Sequence, residues 1–264
     1  MLVRDLKKQR LDLLVQQQFS HLTRNQIQSF IMQGKVSVEG QIKTKSGELF
    51  DVFVKILLDQ EQPKYVCRAG YKLEKALEHF ALDVHGKIVM DAGLSTGGFT
   101  DCLLQNGAQK VYGIDVGYGQ AHEKIRIDPR VDVRERTNLR YVTSVGELVD
   151  LVTLDLSFIS VLKCMEAVCA VLKPDGQLIV LVKPQFEARK EQVGKGGIIK
   201  DVAVHQEVIQ NVTSGIVAYG FEFCGITESP IKGTEGNTEF LAYFKRCHSE
   251  RSVESMCIDK KFLR

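Results

Sequence analysis

Four charged residues interrupt apolar segments of this chain: Lys72 in "CRAGYKLEKAL", Asp155 in "LVTLDLSFIS", Lys183 in "LIVLVKPQFE" and Glu239 in "GNTEFLAYF". A lysine that follows five apolar residues, as Lys183 does, must be paired or functional if it is buried. Each of the four has an ordinary explanation on its own: a stem lying along apolar surface with its head in water, or a salt bridge. Together they suit one task, the activation of a weakly acidic hydroxyl. A sugar hydroxyl is a poor nucleophile and must lose its proton as it attacks. A lysine whose pKa is lowered by burial or by a second lysine can take that proton. The acids would orient the lysines, and the positive site would stabilise the developing alkoxide.

The elements that must position these residues read as alternating strands and helices. Apolar strand candidates fall at 87–91, 111–115, 131–134, 150–155, 177–183, 222–227 and 238–244. A helix over 71–81 carries Leu73, Ala76, Leu77 and Phe80 on one face, and further helical stretches fall near 99–106, 118–126, 160–172 and 202–219. This alternation predicts an α/β fold with a mostly parallel sheet. Only Ser229 to Asn237 separates the last two strands, so the final strand is expected to be antiparallel, unlike the usual six-stranded dinucleotide fold. Ligands of open α/β sheets sit at the carboxyl ends of the strands. Asp155 and Lys183 fall there on neighbouring strands.

"KIVMDAGLSTGGFTDCLL" reads as strand, glycine loop and helix. Asp91 ends the strand, and Gly93, Gly97 and Gly98 would let the backbone come close to a ligand. Ser95 or Thr96 is expected to cap the helix that starts near Phe99. The spacing is not Gly-x-Gly-x-x-Gly, which disfavours a pyrophosphate cradle, and Asp91 is a poor neighbour for phosphate. It is a good neighbour for an ammonium, as in the amino acid part of S-adenosylmethionine. The next strand, "KVYGIDVG", ends in Asp115, which could accept both ribose hydroxyls of a nucleoside cofactor. A tight turn without ligand explains the glycine loop equally well; Asp115 favours the nucleoside cofactor.

The chain has 264 residues, enough for one large domain or two smaller ones, and its 44% apolar and 26% charged content is that of an ordinary soluble globular protein. Apolar runs such as Leu178 to Val182 are far short of a membrane span. "MLVRDLKKQR" lacks the apolar core of a signal peptide. The cysteines at 67, 102, 164, 169, 224, 247 and 257 form no Cys-x-x-Cys pair, which suits a reducing cytoplasm. The histidines show no ligand spacing, so no metal is expected.

Charge is unevenly spread. Residues 1–46 hold eight Lys/Arg against three Asp/Glu, a local +5 within a chain of net +2. That excess suggests a polyanion contact at one end, although a solvated surface explains it as well. Leu11, Leu14 and Val15 fit one apolar helical face. "TRNQ" (23–26) is a capping box before a helix carrying Ile27, Phe30 and Ile31, which Gly34 would stop. "KVSVEGQIKT" alternates about a Glu39-Gly40 turn and reads as a hairpin. So compact a unit suits docking better than catalysis. "LLDQEQPKYV" (57–66) reads as a linker, and the aperiodic tail 247–264 reads as mostly disordered.

These residues also carry a family resemblance. "RLDLLV" and "TRNQIQSFIMQGKVSVEGQIKTKSG" resemble the S4 RNA-binding module. "AGYKLEKAL", "DAGLSTGGFTDCLLQNGAQKVYGIDVGYGQ", "RVDVRERTNLR", "DLVTLDLSFIS", "LVKPQFEARKEQVGKGGIIKD" and "GNTEFLAYF" resemble the TlyA (hemolysin A) family of ribosomal RNA methyltransferases, over a stretch from about residue 8 to 244. The resemblance implies a Rossmann-like class I methyltransferase sheet similar to that of the FtsJ group, over 67–246, behind a small N-terminal α+β S4 domain over 1–56. It implies S-adenosyl-L-methionine as cofactor and 2′-O-methylation of cytidine riboses. The expected partners are ribosomal RNA or ribosomal subunits, with no membrane contact and a monomeric chain. The Lys-Asp-Lys-Glu tetrad of that group falls on Lys72, Asp155, Lys183 and Glu239, with Lys183 base-like. The implied cofactor set is Asp91, Gly93, Ser95, Thr96, Gly97, Gly98, Asp115, Asn138 and Asp155. The implied RNA set is Lys7, Lys8, Arg10, Arg24, Lys35, Lys43, Lys45 and Arg68. Ala69, Ala92 and Leu94 depart from the residues more usual in the family.

Asp155 admits a rival reading. Asp-x-x-Phe at a strand end is similar to the Asp-Pro-Pro-Phe/Tyr signature of enzymes that methylate exocyclic amines, but here Leu156 and Ser157 replace the prolines. Such an enzyme has no need of two lysines. On the ribose reading Phe158 becomes a packing residue or a cofactor wall. A membrane-active hemolysin would need a span or a strongly amphipathic cationic helix, and neither is present. An RNA-binding factor without catalysis would not require the tetrad.

Overall fold

The computed structural model describes residues 8–32, 34–59, 63–233 and 236–247. The chain divides into two compact units, Met1–Gln62 and Pro63–Arg264.

The first unit runs β1 (Lys8–Arg10), α1 (Leu11–Gln18), α2 (Arg24–Met32), β2 (Val36–Val38), β3 (Gln41–Lys43), β4 (Leu49–Asp51) and β5 (Ile56–Leu58). Leu11, Leu14 and Val15 of α1 pack with Ile27 and Ile31 of α2 and with Val36, Val38 and Ile56 of the strands. Thr23 and Gln26 cap α2 reciprocally: the Thr23 N–H donates to Gln26 Oε1 at 2.8 Å and the Gln26 N–H to Thr23 Oγ1 at 3.3 Å. Glu39 (φ 50°) and Gly40 (φ 78°) make the β2–β3 turn with both central residues left-handed, the geometry that matches strand twist. Beyond that hairpin, β5 adds a third strand beside β2, and β1 pairs with β4. These three-residue strands are too short for an alternation signal to announce them.

Asp12 ties the unit together. It is fully buried on α1 and accepts from Arg10 Nε (3.0 Å) and Nη2 (2.9 Å), Gln28 Nε2 (3.2 Å) and Arg24 Nη2 (3.3 Å). The Arg10 fork holds the Asp12 carboxyl well below the usual carboxylate range, against the opposing pull of burial.

The second unit runs α3 (Ala69–His79), β6 (Ile88–Ala92), α4 (Gly98–Gln105), β7 (Lys110–Ile114), α5 (Glu123–Arg126), β8 (Val131–Arg134), β9 (Val149–Leu154), α6 (Met165–Val171), β10 (Leu172–Val182), α7 (Pro184–Glu187), α8 (Val202–Val217), β11 (Phe221–Glu228) and β12 (Phe240–Arg246). Its seven strands lie in the order β11-β12-β10-β9-β6-β7-β8. The ladders from β10 to β8 are parallel, and β12 runs antiparallel to both of its neighbours. Successive strand residues face opposite layers. Val89, Leu151, Ile179 and Leu241 pack under α3, α4 and α5, whereas Met90, Val152, Val180 and Ala242 pack under α6 and α8. The strand order reverses between β6 and β9, which opens the sheet for a ligand at their carboxyl ends.

Several expectations are corrected here. The expected linker 57–66 is partly structured: Leu57 and Leu58 belong to β5, and Tyr65 is buried in the core of the second unit. The helix expected over 118–126 is only Glu123–Arg126, because Gly117 and Gly119 keep the preceding segment in bends. The helix expected over 160–172 opens with a 3-10 turn, Val161–Cys164, capped by Ser160. Neither Ser95 nor Thr96 caps α4; the N-cap is Gly97 at φ 94°. Residues 248–264 of the expected tail lie outside the described residues.

Because the folded-state pKa of Asp12 lies below its unfolded value, its contribution is present above the ordinary aspartate range and lost as pH falls through the lowered folded value. Asp12→Ala should weaken the first unit by on the order of 3 kcal/mol at neutral pH. Hydrogen exchange of the full chain should show faster exchange of α1 and α2 amides. Unchanged protection in this variant would contradict the role of Asp12.

Candidate active site

Three of the four charged candidates lie side by side on neighbouring strands. In the antiparallel ladder Val182 of β10 faces Phe240 of β12, so the next residues outward, Lys183 and Glu239, are opposite one another. In the parallel ladder Val180 faces Leu154 of β9, which brings Asp155 to the same edge. The Asp155 N–H donates to Ala92 O at 2.9 Å, extending the β9–β6 ladder to the glycine loop. Glu239, Lys183, Asp155 and Gly93 therefore succeed one another along the sheet edge. Lys72 reaches this edge from α3.

The side chains form two ion pairs. Lys72 Nζ donates to Glu239 Oε2 at 2.5 Å, with both residues buried. Lys183 Nζ lies 2.6 Å from Asp155 Oδ1 and donates to Ser157 Oγ at 3.0 Å. A buried charge without a partner costs several kcal/mol, so the pairing is what lets these residues leave water. Ser157, the residue in place of the second proline, was not singled out from the sequence; its role as a lysine partner becomes visible only in three dimensions.

A cleft beside Asp155 is lined by Cys67, Ala69, Gly93, Leu94, Ser95, Thr96, Gly98 and Phe99. Asp115 stands at the end of β7, half-buried. Its Oδ2 accepts from the Ser95 N–H at 2.7 Å and its Oδ1 from the Gly117 N–H at 2.6 Å. This carboxylate therefore braces the glycine loop. The cleft offers apolar walls (Leu94, Phe99), loop backbone and an acid (Asp155), a donor and acceptor set that fits a nucleoside carrying an amino acid.

Two expectations about this loop change. Asp91 does not line the cleft. It is fully buried and accepts from Thr100 Oγ1 (2.6 Å) and Thr153 Oγ1 (2.8 Å). Burial pushes its pKa up to about 6, against the two threonine hydroxyls that favour the charged form. It organises the strand end from below and leaves Asp155 as the acid in the cleft. The glycines are required by the protein itself as well: Gly93 and Gly98 line the cleft, and Gly97 does not. A Cβ on Gly93 would press on the Asp155 carbonyl, 2.8 Å from its carbon. One on Gly97 would lie 2.7 Å from Ile125 Cγ1, and one on Gly98 would lie 2.5 Å from Cys67 Sγ. Sequence shows a glycine but not what fills its missing side chain.

Asn138 caps a 3-10 turn, accepting from the Arg140 N–H at 3.1 Å, and is not among the residues lining the cleft. Phe158 neither packs in the core nor walls the cleft. It is 90% exposed, has φ 64°, and sets its ring 5.0 Å from that of Phe186. A left-handed conformation at an aromatic residue is a genuine outlier.

Of the expected RNA set, Arg10 and Arg24 are held by Asp12, Lys43 pairs with Glu48 (3.4 Å) and lies over Phe50, and Lys35 lies over Phe30. Lys8 and Lys45 are exposed. Arg68 is exposed at the start of α3, in the second unit, and Lys7 lies outside the described residues.

Comparison with known proteins gives two family matches: FtsJ-like methyltransferase over residues 65–246 and S4 domain over residues 9–52. Hemolysin A of Brachyspira hyodysenteriae is 40% identical over 240 residues, 89% of this chain and 99% of that protein. The 16S/23S rRNA (cytidine-2'-O)-methyltransferase TlyA of Mycobacterium tuberculosis is 38% identical over 237 residues, 88% of each chain. A solved hemolysin-named protein from Streptococcus thermophilus superposes with a TM-score of 0.72 at 42% identity, covering 92% of this chain and 90% of its own.

The raised pKa of Asp91 has a measurable sign. Between about pH 4 and pH 6 the folded state holds a proton that the unfolded state has lost, so this residue's contribution declines as pH rises through that window. Two units correspond to about 3 kcal/mol. Asp91→Asn should therefore gain on the wild type by up to that amount between pH 4 and pH 7 in urea unfolding. Parallel stability curves would contradict the assignment.

Proposed function

The chain belongs to the FtsJ-like methyltransferase family, and on that premise we propose that it methylates the 2′-hydroxyl of a cytidine ribose in ribosomal RNA, using S-adenosylmethionine. The observation that carries this reading is the row of Glu239, Lys183 and Asp155 beside Gly93, with Lys72 paired to Glu239. The bound cofactor supplies an electrophilic methyl group on a sulfonium. Leu94, Ser95, Thr96 and Phe99 would hold it, with Asp155 as the acid of that cleft for its amino group; Asp115, outside the lining, braces the loop through Ser95 and would be the acid for its ribose hydroxyls.

Lys183 is the residue that receives the hydroxyl proton in this scheme, in its neutral form, as the oxygen–carbon bond forms and the carbon–sulfur bond breaks. Asp155 and Ser157 fix the direction of its Nζ. Glu239 fixes Lys72, whose positive charge stabilises the developing alkoxide. Positioning supplies much of the rate in such a transfer. Phe158 and Phe186 supply an exposed aromatic surface three residues from Asp155. It suits a base lifted out of its helix, which would leave the ribose at the tetrad.

The first unit is the docking element. Its S4 match and its basic side chains support a phosphate contact, and Asp12 holds Arg10 and Arg24 in place before RNA arrives. A relative bears the name hemolysin A, but no helix among the described residues is long and apolar enough to cross a membrane, and lysis has no use for the tetrad. The absence of Pro-Pro after Asp155 disfavours methylation of a base amine.

The test is incubation with ribosomal RNA lacking the modification and labelled S-adenosylmethionine, followed by nucleoside analysis. The label should appear in 2′-O-methylcytidine. Label in a base-methylated nucleoside would overturn the reading. Phe158→Ala should lower kcat/KM for RNA by roughly tenfold, the effect of one lost stacking contact, with cofactor affinity unchanged.

A further inference from the structure

The connection between β11 and β12 contains a glycine whose missing side chain is replaced by the carboxylate of Glu239. A Cβ on Gly233 would fall on Glu239 Oε1 and 2.8 Å from Glu239 Cδ, and its three nearest heavy atoms all belong to Glu239. Gly233 is not at positive φ, so its backbone would accept alanine, and the obstacle is the carboxylate.

Gly233 is tied to described residues around it. The Gly233 N–H donates to Asn237 O at 2.8 Å, and its carbonyl accepts from the Gly236 N–H at 3.1 Å. Asn237 is buried and pinned in turn: its Nδ2 donates to Gly197 O at 2.9 Å and its Oδ1 accepts from the Ile199 N–H at 3.0 Å. The Ser229 N–H donates to Glu239 O at 2.9 Å, and Lys232 Nζ donates to Glu228 Oε1 and Thr238 Oγ1, both at 2.8 Å. Glu239 is thus held between two surfaces. Oε2 bonds Lys72, and Oε1 rests on the Gly233 backbone.

We propose that Gly233 is a positioning residue for methyl transfer: its bare Cα, held by the hydrogen bonds to Gly236 and Asn237, sets the Glu239 carboxylate against Lys72. The proposal rests on the tetrad reading given above. A methyl at Gly233 pushes Oε1 away and turns Oε2 off Lys72. The loop then acts through Glu239, without touching either substrate.

The test is Gly233→Ala in the full chain, alone and combined with Glu239→Gln. Alone, it should lower kcat by roughly tenfold or more, since small displacements of reacting groups are costly. KM for S-adenosylmethionine and for RNA should stay within about twofold, because no ground-state contact is removed. In the Glu239→Gln background it should have no further effect on kcat. Equal losses in both backgrounds, or a loss confined to KM, would overturn the proposal. If Gly233→Ala folds poorly, adding Glu239→Asp, which withdraws the carboxylate by one methylene, should restore folding to the level of Glu239→Asp alone; persistence of the defect would overturn it. Urea unfolding separates the two claims. If Glu239→Gln turns over normally, the tetrad reading fails. The contact itself is then judged by whether Gly233→Ala and Glu239→Asp, which withdraws the clashing group, are non-additive in unfolding free energy, as proposed, or additive, which overturns it.

Discussion

Lys72, Lys183 and Glu239 are each less than a tenth exposed, at the edge of a sheet whose neighbouring residues are apolar. No one of them could occupy that place alone, because an uncompensated buried charge costs several kcal/mol. Opposite charges must therefore arrive together, and they come from four separate elements. The antiparallel strand β12 is what makes this possible. Inserted between β10 and β11, it starts where β10 ends, so Glu239 stands opposite Lys183. A sheet with a parallel last strand would carry its first residues to the far edge.

On the proposed reading the same edge couples chemistry to cofactor. Gly93 packs on the carbonyl of Asp155, and Asp155 N–H continues the ladder to Ala92, so the glycine loop and the Lys183–Asp155 pair form one rigid piece. Asp91 lies beneath that piece, clasped by Thr100 and Thr153, and Asp115 clasps the loop from above through Ser95 and Gly117. Much of the loop's composition is explained by these internal contacts. On the proposed reading, ligand chemistry falls to the polar residues of the cleft lining, among them Asp155, Ser95 and Thr96.

Strand positions were legible because core strands of a parallel sheet are continuous apolar runs, and the charged residues at their ends stood out against them. The four charged residues were legible for that reason, and the structure adds that they form two ion pairs. Of the short strands of the first unit, the β2–β3 hairpin was legible from its turn and alternation, whereas β1, β4 and β5 were not, since an isolated run of three residues carries no periodicity. Nor were the roles of Asp91 and the glycines, because sequence gives residue type while burial and neighbours decide use. Phe158 was misjudged by the same limit: a phenylalanine beside a strand end ordinarily packs, and only its left-handed φ and exposure mark it as something else. Gly233 gave no signal at all, because its neighbour Glu239 is six residues away along the chain and meets it only in three dimensions.

The central claim is that Lys183, held by Asp155 and Ser157, takes the proton of the attacking hydroxyl. The most direct measurement pairs single-turnover methyl transfer by Lys183→Ala with calorimetry of S-adenosylmethionine binding to the same protein. The account predicts a loss of turnover of about 10²–10⁴-fold, the range for removal of a general base, with cofactor affinity retained. Near-normal turnover, or a loss explained by failure to bind the cofactor, would contradict it.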